Sequence, residues 1–188
     1  MLKLNYKICL FIAFSAMFLM GCSESSSSSD IKVGGIAYSS ASYSGITSSN
    51  GEFHHVKGET TTFKVGSVTI GSMTIGPTSG KVSPQYIAGL TSNIHDATSI
   101  AIKQFYHSLD EDENSTNGIM ITPETHAYFI TEQILTSGNL GALVVQAGKT
   151  VISASTLLSI ETSKSTTENN VVASGGGAGI FTIISNDG

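Results

Sequence analysis

Between residues 31 and 76, apolar and polar positions alternate in short runs separated by Gly, Ser and Asn. Ile31-Lys32-Val33, Ile36-Ala37-Tyr38, Gly51 to Val56, Thr60 to Val65, Ser67 to Ile70 and Met73-Thr74-Ile75 carry the period-two pattern of half-buried strands. Asn50-Gly51 is a strong turn signal, because both residues tolerate positive φ, and Lys57-Gly58 and Val65-Gly66 punctuate in the same way. Strands with turns at intervals of about 8–12 residues suggest a small antiparallel sandwich. Phe53 and Phe63 are its expected core residues.

After Pro84 the period lengthens. Ile94, Ala97, Ala101, Phe105 and Leu109 form a stripe of helical spacing. Asn93 is placed to cap that helix and Asp96 sits in its first turn, so a helix is predicted over 93–109. Thr122-Pro123 supplies a second N-cap and a Pro at the first helical position. Ala127, Ile130 and Ile134 continue the period, so the second predicted helix covers 123–135 and stops at Ser137-Gly138. From Leu140 the pattern reads as strand again, through Leu143-Val144-Val145, Thr150-Val151-Ile152 and Leu157 to Ile160. A polar stretch and the glycine loop Ser174 to Gly179 then lead to a last strand at Ile180 to Ile184. The expected fold is mainly β: a small antiparallel β-sandwich with one or two packed helices, with α+β as the alternative. Residues 31–188 form its single domain.

The chain has 188 residues, 40% hydrophobic and 12% charged, with 20 Gly and no Trp. That excludes a wholly disordered chain and describes a lean, turn-rich core. All 9 basic residues are Lys, against 14 acidic ones. A net charge of −5 without a basic cluster argues against nucleic acid, whose binding depends on neutralising phosphates. The absence of Arg also weakens any site built on bidentate capture of phosphate or carboxylate.

Residues 1–22 have the layout of an export signal. Lys3 and Lys7 precede an apolar run from Ile8 to Met20, and Gly21-Cys22 follows. The run is shorter than the ~20 apolar residues of a membrane-spanning helix. Leu19-Met20-Gly21-Cys22 resembles the lipobox of bacterial lipoproteins, with an ordinary secretory signal as the alternative. The resemblance implies a signal peptide over 1–21, acylation of Cys22 by diacylglycerol and palmitate-type chains, and cleavage before it. Only Cys9 and Cys22 exist, so a chain processed in this way keeps no thiol for a disulfide. Residues 22–30 are Ser-rich and read as a flexible tether. Ser23 is not the Asp that retains Gram-negative lipoproteins in the inner membrane, so the resemblance favours the outer membrane.

Thr47 to Phe53, followed by Gly58-Glu59-Thr60-Thr61-Thr62-Phe63, resembles the turn-and-strand signature of carboxypeptidase-regulatory-like β-sandwich modules. The likeness covers roughly residues 31–76. Such modules are non-catalytic, and the resemblance implies a turn at Gly51 and core positions at Phe53 and Phe63.

Asp110-Glu111-Asp112-Glu113-Asn114 is the most specific polar feature. Asp110, Asp112 and Asn114 stand at positions 1, 3 and 5, a spacing that turns oxygen ligands toward one hard cation. The run resembles EF-hand and dockerin-like calcium loops, which implies a calcium ligand set of Asp110, Asp112, Asn114 and the Thr116 backbone carbonyl. Ser115 stands where those loops have Gly, and Ile121 where they have a bidentate Glu. The alternative is a solvated acidic loop at a helix end, where the helix dipole disfavours negative charge unless a cation offsets it. The passage from Leu109-Asp110 to Asn117-Gly118-Ile119 also resembles a phrase of uncharacterised bacterial lipoproteins, which brings no activity with it.

Other constellations carry less. His54 and His55 are adjacent in a predicted strand and face opposite sides. A zinc site would need His95, His107 or His126, and no HExxH or paired-Cys spacing exists. His95-Asp96 beside Ser99 suggests a triad, but helical geometry disfavours it and no Gly-x-Ser-x-Gly elbow is present. The glycine run lacks a Gly-Lys-Ser/Thr ending and precedes a strand, so it is not a phosphate loop. The expected protein is a lipid-anchored, non-enzymatic envelope protein. Its partners are the membrane, through its lipid, and an envelope protein or a glycan; its one candidate cofactor is calcium.

Overall fold

The computed structural model describes residues 30–76, 80–89, 96–164 and 178–184. Cys22, the export signal and the Ser-rich tether lie outside those residues, as do Asn93, Ile94 and His95. In chain order the elements begin with β1 (Val33–Gly34), β2 (Ala37–Ser39), β3 (Ser44–Ile46), β4 (Glu52–Val56), β5 (Thr60–Val65), β6 (Val68–Thr74) and β7 (Gly80–Val82). Helices α1 (Pro84–Ile87) and α2 (Ala97–Leu109) follow, then a 3-10 turn at Ser115–Asn117 and strand β8 (Ile119–Met120). The described chain continues with α3 (Pro123–Ala127), β9 (Gln133–Ile134), α4 (Leu140–Gln146), α5 (Ala154–Lys164) and β10 (Ala178–Ile183).

The strands form a five-stranded sheet in the order β3-β2-β5-β6-β9, a three-stranded sheet β4-β10-β7 and a two-stranded pair β1-β8. Pairing is antiparallel at β2–β3, β2–β5, β5–β6 and β4–β10, and parallel at β6–β9, β7–β10 and β1–β8. The fold is therefore the expected sheet structure with packed helices, in its α+β form.

Alternation along the strands sets which side chains go inside. Thr61, Phe63 and Val65 of β5 are buried, as are Phe53 and His55 of β4, while His54 faces solvent. The Phe53 and Phe63 rings meet edge to face with centroids 5.2 Å apart, and Tyr38 of β2, the register partner of Phe63, lies 5.3 Å from Phe53. These contacts join a strand of the smaller sheet to two strands of the larger one, and they are the centre of the sandwich. Edge-to-face packing suits the ring quadrupoles and adds about 0.5–1.5 kcal/mol beyond area burial.

The turns behave as their residues require. Gly51 has φ 73°, and its N–H donates to the Ser48 carbonyl at 2.8 Å. The turn does not close a hairpin: it carries the chain from β3 in the large sheet to β4 in the small one. Gly66 opens the two-residue hairpin between β5 and β6 with φ 55°. A Cβ there would lie 2.4 Å from the His126 carbonyl, so backbone conformation and close approach both require Gly.

Helix α2 begins later than the sequence pattern suggests. Asp96, not Asn93, is its N-cap: Asp96 Oδ1 accepts the Thr98 N–H at 2.8 Å. Ala101, Phe105 and Leu109 are buried as the stripe predicts, whereas Ala97 is exposed. Burial extends to Ile102, Lys103, Tyr106, His107 and Ser108, because α1, α4, α5 and β8 surround the helix.

Four assignments change in the second half of the chain, one of them Thr150 to Ile152, which the pattern reads as strand and which lies in neither helix nor strand. The helix predicted over 123–135 starts correctly, with Thr122 Oγ1 accepting the Thr125 N–H, but ends at Ala127. The backbone then turns to the open edge of β6: Ser67 N–H donates to Phe129 O at 2.7 Å, and Leu135 N–H donates to Thr69 O at 2.8 Å. Sheet pairing thus replaces helix propagation. Phe129 and Leu135 enter the core, while Ile130 (83% exposed) and Ile134 (68%) face solvent. The stretches read as strands at Leu143 to Val145 and Leu157 to Ile160 are instead helical, in α4 and α5. In α4, Leu140, Leu143 and Val144 are buried at helical spacing and Val145 points outward, so the apolar triplet straddles two faces of a helix. Ser153 starts α5, its Oγ accepting the Thr156 N–H at 3.1 Å. The last predicted strand is present as β10.

Phe63→Ala should lower unfolding free energy by about 3–5 kcal/mol, the range for a fully buried Phe. Ile130→Ser, which a 123–135 helix would make disruptive, should change it by no more than ~0.5 kcal/mol. Denaturant melts of the two variants check both values.

Candidate functional site

The C-terminus of α2 delivers the acidic loop. Asp110, the helix C-cap, is 1% exposed. Its Oδ1 accepts the Met120 N–H at 2.9 Å, and the Met120 carbonyl accepts the Glu111 N–H at 3.1 Å, so the two ends of the loop are tied together. Within the loop, Asp112 Oδ1 accepts the Asn114 N–H at 2.9 Å and Oδ2 accepts the Asn117 side-chain amide at 2.8 Å. Glu113 holds φ at 58°, the left-handed conformation the reversal needs.

Lys149, which follows α4, enters from across the fold. Its Nζ donates to the Asp110 carbonyl at 3.0 Å and the Glu111 carbonyl at 3.4 Å, and pairs with Glu113 Oε1 at 3.5 Å. The negative end of the α2 dipole and the acidic loop thereby gain a fixed cation. Lys149 reaches the carbonyls, however, and not the Asp110 and Asp112 carboxylates.

Those two carboxylates are set apart electrostatically. Burial, with the neighbouring Asp112 charge adding to it, pushes Asp110 above its usual range, and the Met120 N–H opposes the shift. The Asn117 amide, then the Asn114 N–H, hold exposed Asp112 below its own. Asp110 Oδ2 is buried and accepts no hydrogen bond. Ser49, Asp110, Asp112, Asn117, Gly118 and Met120 are among the residues lining an open pocket of about 170 Å³.

Of the four calcium ligands expected from the sequence, Asp110 and Asp112 come together in this pocket. Asn114 is exposed and gives its backbone N–H to Asp112, and Thr116 sits on the 3-10 turn. Among the described residues no three His, Cys, Asp or Glu side chains gather as a metal-binding set. A cation here would depend on two carboxylates and on neutral oxygens.

The histidines serve different ends. His126 Nδ1 accepts the Gly66 N–H at 2.9 Å, which leaves Nε2 protonated to donate to the Gly35 carbonyl at 2.6 Å. The ring thus ties α3 to the turn before β2 and to the β5–β6 hairpin. His107 Nδ1 lies 2.7 Å from Ser115 Oγ in a buried pair. Burial, and secondarily the Lys103 charge, lower the His107 pKa to about 4. The suggested triad dissolves: Asp96 caps α2, Ser99 is buried in it and His95 lies outside the described residues. Of the glycine run, Gly175 to Gly177 also lie outside, and Gly179 belongs to β10, paired with His55.

Sequence spacing missed Lys149, Asn117 and the His107–Ser115 pair. Lys149 is 39 residues from Asp110, and only tertiary packing brings it to the loop. Comparison with protein-family models, curated proteins and solved structures gives no match.

Because His107 is harder to protonate when folded than unfolded, its contribution to stability is complete above pH ~6.5 and is lost as pH falls toward about 4. Between pH 6.5 and 5 the loss should be about 2 kcal/mol. The raised Asp110 works in the opposite sense, favouring the folded state at low pH and fading as pH rises through its folded pKa. His107→Asn keeps a hydrogen-bonding side chain without the titration, so the difference between its stability and that of the unsubstituted chain should change across this window. Paired urea melts at pH 7 and pH 5 measure it.

Proposed function

We propose that the chain is a lipid-anchored, non-enzymatic protein of the cell envelope, on the outer rather than the inner membrane, displaying its β-rich body as an interaction module. The observation that carries this reading is Leu19-Met20-Gly21-Cys22 at the end of a short apolar run behind Lys3 and Lys7. Two or more acyl chains at Cys22 would hold it firmly, since a single chain gives only reversible binding. The resemblance of residues 31–76 to carboxypeptidase-regulatory-like modules supports a displayed, non-catalytic body. The engagement of both His126 ring nitrogens by backbone, and the burial of His107 with Ser115, also fit side chains spent on structure. Among the described residues no helix is long and apolar enough to cross a membrane.

A second reading, an accessory subunit of an envelope assembly such as secretion, adhesion or surface-polymer machinery, is favoured by one surface. Tyr128, Ile130 and Ile134 are exposed around β9, an edge strand of the large sheet. Gln146 of α4 donates to the Tyr128 carbonyl, and its neighbour Val145 is exposed. Exposed apolar side chains beside an unpaired strand edge suit a protein contact.

Cys22→Ser should shift the protein out of the membrane fraction or leave its signal uncleaved, read by detergent partitioning and by mass. Unchanged partitioning and processing would overturn the anchor. Recovery of one stoichiometric envelope protein from solubilised membranes favours the subunit, whereas binding to a glycan array by the full chain favours the module.

A further inference from the structure

Asp110 Oδ2 is one of several buried side-chain atoms, among the described residues, that no donor from the surrounding fold reaches. A buried carboxylate oxygen that accepts nothing loses its hydration without replacement. What lies against it is the Asp112 carboxylate, close enough to share a proton with it, in the lining of the same pocket. Lys149 does not answer it, as its ammonium binds the carbonyls of residues 110 and 111 and the carboxylate of Glu113.

We propose that Asp110 and Asp112 bind one calcium ion in the pocket between α2 and β8, with Asp110 Oδ2 as the anchoring ligand. The cation takes the place of the proton shared by the two carboxylates and lets both carry their charge. The donor chemistry selects the ion. Asp112 keeps lone pairs free beside the two that accept hydrogen bonds, and Asn117 and Ser49 in the lining bring neutral oxygens. An all-oxygen, anionic site suits a hard cation. An open pocket with only two carboxylates suits calcium, which tolerates irregular geometry and bound water, better than magnesium, which demands a near-ideal octahedron. The ligands differ from those spacing alone implies: Asn114 supplies a backbone N–H that shapes the loop, and Asn117 orients Asp112. The site does not depend on the anchoring of the chain.

Equilibrium dialysis of the full chain in detergent against radioactive calcium should retain one ion per chain, displaced at least tenfold less effectively by magnesium. Calcium at 100 times its Kd should raise Tm by roughly 5–10 °C over chelator. Asp112→Asn should weaken binding at least tenfold. Asp110→Asn should abolish it without harming the fold: the amide places an N–H donor where Oδ2 faced Asp112, so Tm in chelator should equal or exceed that of the unsubstituted chain. Equal melting temperatures in millimolar calcium and in chelator, no calcium retained, or calcium still bound by Asp110→Asn would each overturn the proposal.

Discussion

The edge-to-face contact of Phe53 with Phe63 is the joint on which the structure depends. The two residues lie on consecutive strands, yet those strands belong to different sheets. The chain leaves the large sheet at Gly51 and returns to it after Lys57-Gly58, so β4 stands apart from both its neighbours in sequence. It pairs instead with β10, more than a hundred residues away, which also binds β7. The aromatic contact, extended by Tyr38, holds the two sheets face to face, and the last strand stitches the smaller one together. With 7% aromatics in the chain, few other side chains offer as much area.

Helix α2 is the second organising element. Surrounded by α1, α4, α5 and β8, it buries polar side chains together with apolar ones, and two of them are answered locally. His107 meets Ser115, and Ser108 Oγ accepts the Ile152 N–H at 2.9 Å, fastening the segment that leads into α5. The helix end is answered from a distance by Lys149. The acidic loop is thus tied at both ends, at Met120 by backbone and at Lys149 by charge, and its reversal is confined to the residues around Glu113. Those ties set Asp110 and Asp112 side by side in the pocket lining.

His126 shows the same economy. One neutral imidazole, accepting from Gly66 and donating to Gly35, replaces the backbone bonds that two turns lack. Gly66 is required there because the hairpin turn and the close approach of the His126 carbonyl meet at one residue. Neither partner is visible from the other in sequence.

What the sequence determined by itself was local. Alternation placed Phe53 and Phe63 inside, Asn50-Gly51 set a turn, Thr122-Pro123 started a helix, and the spacing of Asp110 and Asp112 marked an acidic cluster whose side chains share one pocket. These features follow from side-chain period and backbone preference over a few residues, which any neighbour in the fold leaves unchanged. The tertiary structure decided the rest. It ended α3 at Ala127, because the free edge of β6 offered Phe129 and Leu135 backbone partners and core positions that a longer helix could not reach. It made α4 of Leu140 to Gln146, because burial on α2 selected Leu140, Leu143 and Val144 from a run that reads equally well as strand. It also brought Lys149 and Asn117 to the acidic loop and set the buried Asp110 carboxyl against that of Asp112. A short apolar or acidic segment carries its propensity in its own residues, but its partners are chosen by contacts across the whole chain.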